Sequence, residues 1–272
     1  MPDSPWLVVR KPAARPRLRL FCLPYAGGNA GAFETWRTGL SSGVELCALQ
    51  YPGRRERLAE QPLRRMTQLV QALESVLAPH LEPAYAVYGD CLGAYVGYEL
   101  VRRLCLRGHR APARLVVSSA VAPHVAEPQP DYAAMDDASF VAEVAALGTL
   151  PAAAAAHPEL MATALPSARA DFELGRSYRF RGQDRLAVPI TVVVGDEDPY
   201  LSADGVAAWA ELTTEPVQVV TVPGGHDLLA RAEPRLRAEV QAAVGAAAAQ
   251  PGTGPAPETA AAPGAPQPAV RR

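Results

Sequence analysis

No C-x-x-C pair occurs in the chain: its four cysteines, Cys22, Cys47, Cys91 and Cys105, are scattered along 272 residues. That scatter lacks the spacing of a zinc site or an iron–sulfur cluster and gives no disulfide framework, so no metal is expected. Net charge is nearly absent as well. With 26 Lys and Arg against 28 Asp and Glu, the formal charge is −2, which leaves no broad basic surface for nucleic acid. No apolar run reaches bilayer length, so no membrane association is expected. In the opening MPDSPWLVVRKPAARPRLRL, prolines and arginines break any stretch that could serve as a secretory core. A cytoplasmic location is the expectation. What the chain does have is length and 49% hydrophobic composition, enough for one large α/β domain with a sizeable core.

One stretch organises the rest. Tyr85 to Tyr98 reads YAVYGDCLGAYVGY: an apolar run, a break at Gly89-Asp90-Cys91-Leu92-Gly93, and an apolar segment of helical length from Ala94 to Leu104. Strand, abrupt turn, helix is the implied order. Glycines on both sides of the turn leave no room for side chains there and push Cys91 out across the end of a sheet. The pattern is that of the nucleophile elbow of α/β hydrolases, with sulfur in place of the usual serine oxygen. The competing reading is a tight turn holding a buried, inert thiol.

The remaining segments alternate. Residues 1–16, rich in Pro and Arg, are expected to be a poorly ordered lead-in. Leu18–Tyr25 reads as a buried strand running into the glycine loop Ala26-Gly27-Gly28-Asn29-Ala30-Gly31, and a short helix follows from about Ala32 to Leu40. Val44–Tyr51 is a strand, followed by the charged loop Pro52-Gly53-Arg54-Arg55-Glu56-Arg57. From Met66, apolar residues at 69, 70, 73, 76, 77 and 81 keep a helical period. Further strands are expected at Arg114–Ala120, Ile190–Val194 and Val217–Val222, and helices at Ser202–Leu212 and Leu228–Ala246. Strands separated by helices imply a mostly parallel sheet covered on both faces, within a domain spanning 17–248. Residues 124–185 interrupt the alternation and read as a helical insertion, either a lid over the sheet's end or a thickening of its flank. The Pro/Ala/Gly-rich stretch 249–272 has almost nothing to bury and is expected to be disordered.

A cysteine nucleophile needs a base, and the candidates are His80, His109, His124, His157 and His226. His226 follows Pro223-Gly224-Gly225 directly after a strand, at the edge where α/β sheets place their chemistry. The orienting carboxylate should also end a strand. In Gly195-Asp196-Glu197-Asp198-Pro199 the preferred residue is Asp198, with Asp196 as the alternative. Nucleophile, acid, histidine is the chain order of α/β hydrolases. The oxyanion donors would be the backbone N–H groups of Leu92 and Ala26, and Tyr25 and Gly27 are the candidate substrate contacts. Asp90, next to the nucleophile, is expected to point away from it and to bond backbone near the elbow.

The residues resemble a known family, the type II thioesterases that stand alone beside polyketide synthases and nonribosomal peptide synthetases. The matching pieces are LPYAGGNAGAF with Trp36, YPGRRERLAEQP, GDCLGA, DFELGRSYRF, VVGDEDP and PGGHDLL, spread over roughly residues 18–245. The resemblance implies an α/β-hydrolase fold, an acyl thioester on the phosphopantetheine arm of an acyl or peptidyl carrier protein, and hydrolysis that releases the acyl group; no cofactor and a monomer are expected. The elbow departs from the family's usual G-H-S-x-G at Asp90 and Cys91. Because attack by a thiolate on a thioester yields another thioester, transfer to a second thiol or to an amine rivals hydrolysis. A non-catalytic carrier-binding module is the third reading. Arg54, Arg55 and Arg57 either steer an acidic carrier or form a solvated loop.

Overall fold

The computed structural model describes residues 4–148, 157–182 and 184–249. Apart from Ala249, the tail expected over 249–272 lies outside them. Seven strands form one sheet: β1 (Leu7–Lys11), β2 (Leu18–Leu23), β3 (Val44–Leu49), β4 (Tyr85–Asp90), β5 (Arg114–Ser118), β6 (Ile190–Gly195) and β7 (Val217–Val222). Their order is β1-β3-β2-β4-β5-β6-β7. All pairs are parallel except β1 with β3. The α/β class read from the alternating pattern is the one the chain adopts.

Strand residues divide by parity between two cores. Phe21, Leu23, Cys47, Leu49, Tyr85, Val87, Leu115, Val117, Ile190 and Val192 face α1 (Met66–Leu77) and α2 (Leu92–Leu106). Leu20, Cys22, Leu46, Ala48, Ala86, Tyr88, Val116 and Val193 face the opposite side, where Phe33 and Trp36 pack together with Leu236, Val240 and Val244. Apolar residues on both faces are what a covered parallel sheet requires.

The lead-in expected over 1–16 is corrected at Leu7–Lys11, which pairs antiparallel with β3 as the sheet's edge. Leu7 and Val9 pack on one core and Val8 on the other. This short alternation is flanked by prolines and arginines, whose density hides it in the sequence.

Several helices are shorter than expected. The first is a 3-10 segment, Ala30–Arg37, with Asn29 Oδ1 accepting the Gly31 N–H at 2.8 Å. The Ser202–Leu212 helix divides into α5 (Ala203–Ala207) and a 3-10 turn, Ala208–Leu212. The closing helix, α6, runs Pro234–Ala249 and starts after Leu228, because Ala232 adopts φ 55° and Pro234 suits a first helical turn.

Residues 124–185 carry α3 (Asp137–Ala146) and α4 (Pro158–Ser177), and 149–156 lie outside the described residues. α4 comes down on the ends of β2 and β4. Ala168 lies against Gly27, Leu92 against Gly175, and Tyr178 stacks on Tyr95 with ring centroids 5.9 Å apart.

Candidate active site

β2 has β3 on one side and β4 on the other, so consecutive connections leave the sheet in opposite directions at β2/β4. This switch point is where open α/β sheets leave a crevice at the strands' carboxyl ends. The glycine loop follows β2 and the elbow follows β4, so both open onto that crevice.

Cys91 sits between β4 and α2 with φ 50° and ψ −110°. A non-glycine residue on positive-φ backbone costs on the order of 1–3 kcal/mol and persists only where its surroundings fix it. Here the Cys91 N–H donates to Ser118 O at 2.9 Å, and Cys91 O accepts from the Ala94 N–H at 3.0 Å. The flanking glycines permit this close packing. A Cβ on Gly93 would lie 2.7 Å from Pro24 O and press on Leu23 O, and one on Gly89 would strike the Gly93 carbonyl.

Cys91 Sγ stands 3.3 Å from His226 Nε2, and His226 Nδ1 stands 2.9 Å from Asp198 Oδ2. Asp198 Oδ1 accepts the Tyr200 N–H at 3.0 Å, and the carboxylate is wholly shielded from solvent while the imidazole is 9% exposed. The acid and histidine loops are knitted to each other: Asp196 N–H donates to Val222 O and Glu197 N–H to Gly224 O, each at 3.0 Å. Asp196, the alternative acid, instead accepts the Gly224 N–H at 2.9 Å. His80 is buried beside β2, His109 lies near Glu74, and His124 pairs with Glu211. Of the candidate bases among the described residues, His226 is the one in contact with Cys91.

Burial alone would push the His226 ring toward its neutral form. The Cys91 sulfur and the Asp198 carboxylate outweigh it and raise its pKa to about 11. Both neighbours favour the charged ring, which lies between the sulfur on one side and the carboxylate on the other.

Among the described residues the N–H groups of Ala26 and Leu92 have no acceptor. Leu92 is the first residue of α2, where an amide is left free by helix geometry. Tyr25 is buried, and the Gly27 N–H is committed to Asp171 Oδ2 at 2.7 Å. Beside α2, one turn beyond Cys91, a cleft of about 290 Å³ opens between Tyr95, Pro128, Gln129, Tyr178 and Phe180.

Two expectations change. Asp90 bonds a side chain and not the backbone: Ser118 Oγ donates to Asp90 Oδ1, and Tyr88 OH lies 2.6 Å from the same hydroxyl. Burial raises the Asp90 pKa to about 6 against these hydrogen bonds. The arginine loop is not a solvated face. Arg54 and Arg57 are each 5% exposed, Arg54 paired with Asp171, and Arg57 held by Glu60 and lying over the Trp6 ring; Arg55 is the exposed one. Sequence reasoning missed Ser118, Arg54 and Asp171. Arg54 was read only as a carrier-steering or solvated charge, and Asp171 was visible only as part of the quoted piece DFELGRSYRF, to which no role was attached.

Comparison with known proteins gives a consistent pattern. A family model described as thioesterase domain matches residues 18–242. The chain is 33% identical over 224 residues to gramicidin S biosynthesis protein GrsT of Aneurinibacillus migulanus, covering 82% of this chain and 88% of that one. It is 39% identical over 228 residues to AMB antimetabolite synthetase AmbE of Pseudomonas aeruginosa, which takes in 84% of this chain but only 11% of that much longer protein. The solved structure of the type II thioesterase BorB from the borrelidin biosynthetic cluster superposes with a TM-score of 0.79 at 29% identity, covering 89% of this chain and 97% of BorB. The mostly parallel seven-stranded sheet with its flanking helices is thus the α/β-hydrolase architecture of those structures.

Proposed function

The chain belongs to the thioesterase family, its match spanning residues 18–242, and on that premise we propose that it acts on acyl thioesters carried on the phosphopantetheine arm of a carrier protein, with Cys91 as nucleophile. One observation carries the reading: a sulfur on strained backbone, 3.3 Å from an imidazole that is itself 2.9 Å from a buried carboxylate. Relatives named for gramicidin S and borrelidin biosynthesis support a place beside a nonribosomal peptide or polyketide assembly line.

In this reading the Cys91 thiolate adds to the thioester carbonyl, and the new oxyanion is held by the Ala26 and Leu92 N–H groups. Collapse breaks the bond to the pantetheine sulfur, which leaves with the proton of His226. Asp198 fixes the ring so that Nε2 faces the sulfur. The acyl group now sits on Cys91 as a thioester. Release follows when His226 takes a proton from water, the oxygen adds to the acyl carbon, and Cys91 departs as thiolate with the carboxylic acid formed. The reaction needs no cofactor. The cleft beside Tyr95 is the candidate acyl site.

The sulfur itself favours a second reading. Because the acyl-enzyme keeps the energy of a thioester, a thiol or amine can replace water as acceptor at little cost, and the protein then transfers the acyl group. Intact-protein mass spectrometry separates the two. A carrier loaded with a labelled acyl group is mixed with the enzyme, with and without a second carrier. Free acid formed at equal rates in both mixtures identifies hydrolysis, and label arriving on the second carrier identifies transfer. No acyl adduct on Cys91 under either condition would sink covalent catalysis.

A further inference from the structure

Two distant sequence pieces, YPGRRERLAEQP and DFELGRSYRF, meet at the glycine loop. Asp171, on α4, is 2% exposed, and Arg54, on the loop after β3, is 5% exposed. They form a two-pronged pair: Arg54 Nη1 to Asp171 Oδ2 at 2.7 Å and Nη2 to Oδ1 at 2.8 Å. Each partner also grips the glycine loop. Asp171 Oδ2 accepts the Gly27 N–H at 2.7 Å, and Arg54 Nη1 donates to Gly28 O at 2.8 Å. Gln50 extends the grip, taking the Ala30 N–H on Oε1 at 3.0 Å and giving Nε2 to Arg54 O at 2.9 Å.

The held segment is a tight turn. Gly28 N–H closes onto Tyr25 O at 2.9 Å, and Gly27, its third residue, has φ +78°. A positive φ at that position is the type II form; the type I form closes with the same hydrogen bond but reverses the peptide between the second and third residues. Here that peptide joins Ala26 to Gly27. Its N–H end is the one bound by Asp171, and its reversal would turn the Ala26 carbonyl toward a carboxylate. The Ala26 N–H belongs to the preceding peptide, which both forms share, so the pair acts on it by anchoring the loop: with the Gly27 N–H held by Asp171 and Gly28 O held by Arg54, the two residues that follow Ala26 are pinned to α4 and to the loop after β3.

Building on the thioester reading above, we propose that Arg54 and Asp171 are positioning residues for the oxyanion-binding amide of Ala26, and that Asp171 links the seating of α4 to that amide. Neither side chain touches the reacting atoms. Their effect appears only in steps that build an oxyanion.

Two reactions of the same sulfur isolate the effect. Alkylation of Cys91 by iodoacetamide displaces iodide at a saturated carbon and forms no oxyanion, whereas acylation of Cys91 by an acyl pantetheine thioester does. Both rates are followed by intact mass on the full-length protein and on Asp171→Ala, Asp171→Asn and Arg54→Lys. Loss of a single oxyanion donor costs on the order of 10²–10³ in rate, so a displaced one is expected to cost about 30-fold to 100-fold in Asp171→Ala, with alkylation within about twofold of wild type. Asp171→Asn, which keeps an oxygen for the Gly27 N–H, should recover about tenfold of that loss. Parallel slowing of alkylation and acylation would reduce the pair to a structural role and overturn the proposal, as would acylation at the wild-type rate in Asp171→Ala. Wild-type protein that is alkylated at Cys91 but acylated by no thioester would instead remove the thioester reading itself.

Discussion

Replacing Asp90 by Asn tests the electrostatics behind the elbow. The Asp90 carboxyl is 2% exposed, and its pKa climbs from 3.8 to about 6, chiefly because burial disfavours its charge. An acid whose pKa rises on folding binds more protons in the folded than in the unfolded chain between the two values. Stability therefore falls as pH climbs through about 4 to 6 and stays lowered above it. Integrating over that window, the ionised carboxylate weakens the fold by about 3 kcal/mol at pH 8 but only about 1 kcal/mol at pH 4.5. Asn keeps an oxygen for the Ser118 hydroxyl and never carries charge. Asp90→Asn should thus gain roughly 2 kcal/mol more, relative to wild type, at pH 8 than at pH 4.5. Urea unfolding of both proteins at both pH values gives this difference of differences, in which every other titrating group cancels. A variant-minus-wild-type stability that does not change with pH would refute the argument.

Three further outcomes follow from the same geometry. Cys91→Ser should lower the ratio of transfer to hydrolysis by about tenfold or more if transfer is the native reaction, because its acyl-enzyme is a more stable oxyester; an unchanged product ratio on two-carrier mass analysis would count against it. With its pKa raised to about 11, the His226 ring stays protonated as pH rises through neutrality, so the pair with Cys91 is kept rather than lost. Iodoacetamide at pH 7 should accordingly label Cys91 roughly fivefold or more slowly in His226→Ala than in wild type; equal rates would disprove the pairing. Gly93→Ala should cost more than about 3 kcal/mol of stability or prevent folding, since its Cβ would lie 2.7 Å from Pro24 O. Gly97→Ala on the same helix, whose Cβ would meet the Val87 side chain at 3.3 Å, should be near neutral, and equal losses in urea unfolding would contradict the packing argument.

What was legible in the sequence shares a physical character. The strands and α1 declare themselves through local periodicity, and Gly89, Gly93, Gly195 and Gly224 mark where a strand must end on crowded backbone. Such marks sit at the positions they describe, so the approach of Cys91, Asp198 and His226 could be expected from three short stretches. The pairings that remained hidden are long-range and side-chain specific. Leu7–Lys11 is a strand only because β3 offers it an edge, and the prolines and arginines around it speak locally for disorder. Arg54 reads locally as a solvated charge. It is buried because Asp171, 117 residues further along, supplies the compensating carboxylate. A buried arginine without that partner would be strongly destabilising, so the pair can form only as a unit and leaves no mark at either position alone. The same logic explains Asp90. Its neighbours on the chain suggest repulsion from the nucleophile, while Ser118 on β5 takes the role of partner and Tyr88, two residues back, closes on the same hydroxyl. Chemistry at this site is therefore written twice: once in glycine-marked motifs that deliver reacting atoms, and once in distant charged pairs that hold the backbone those atoms need.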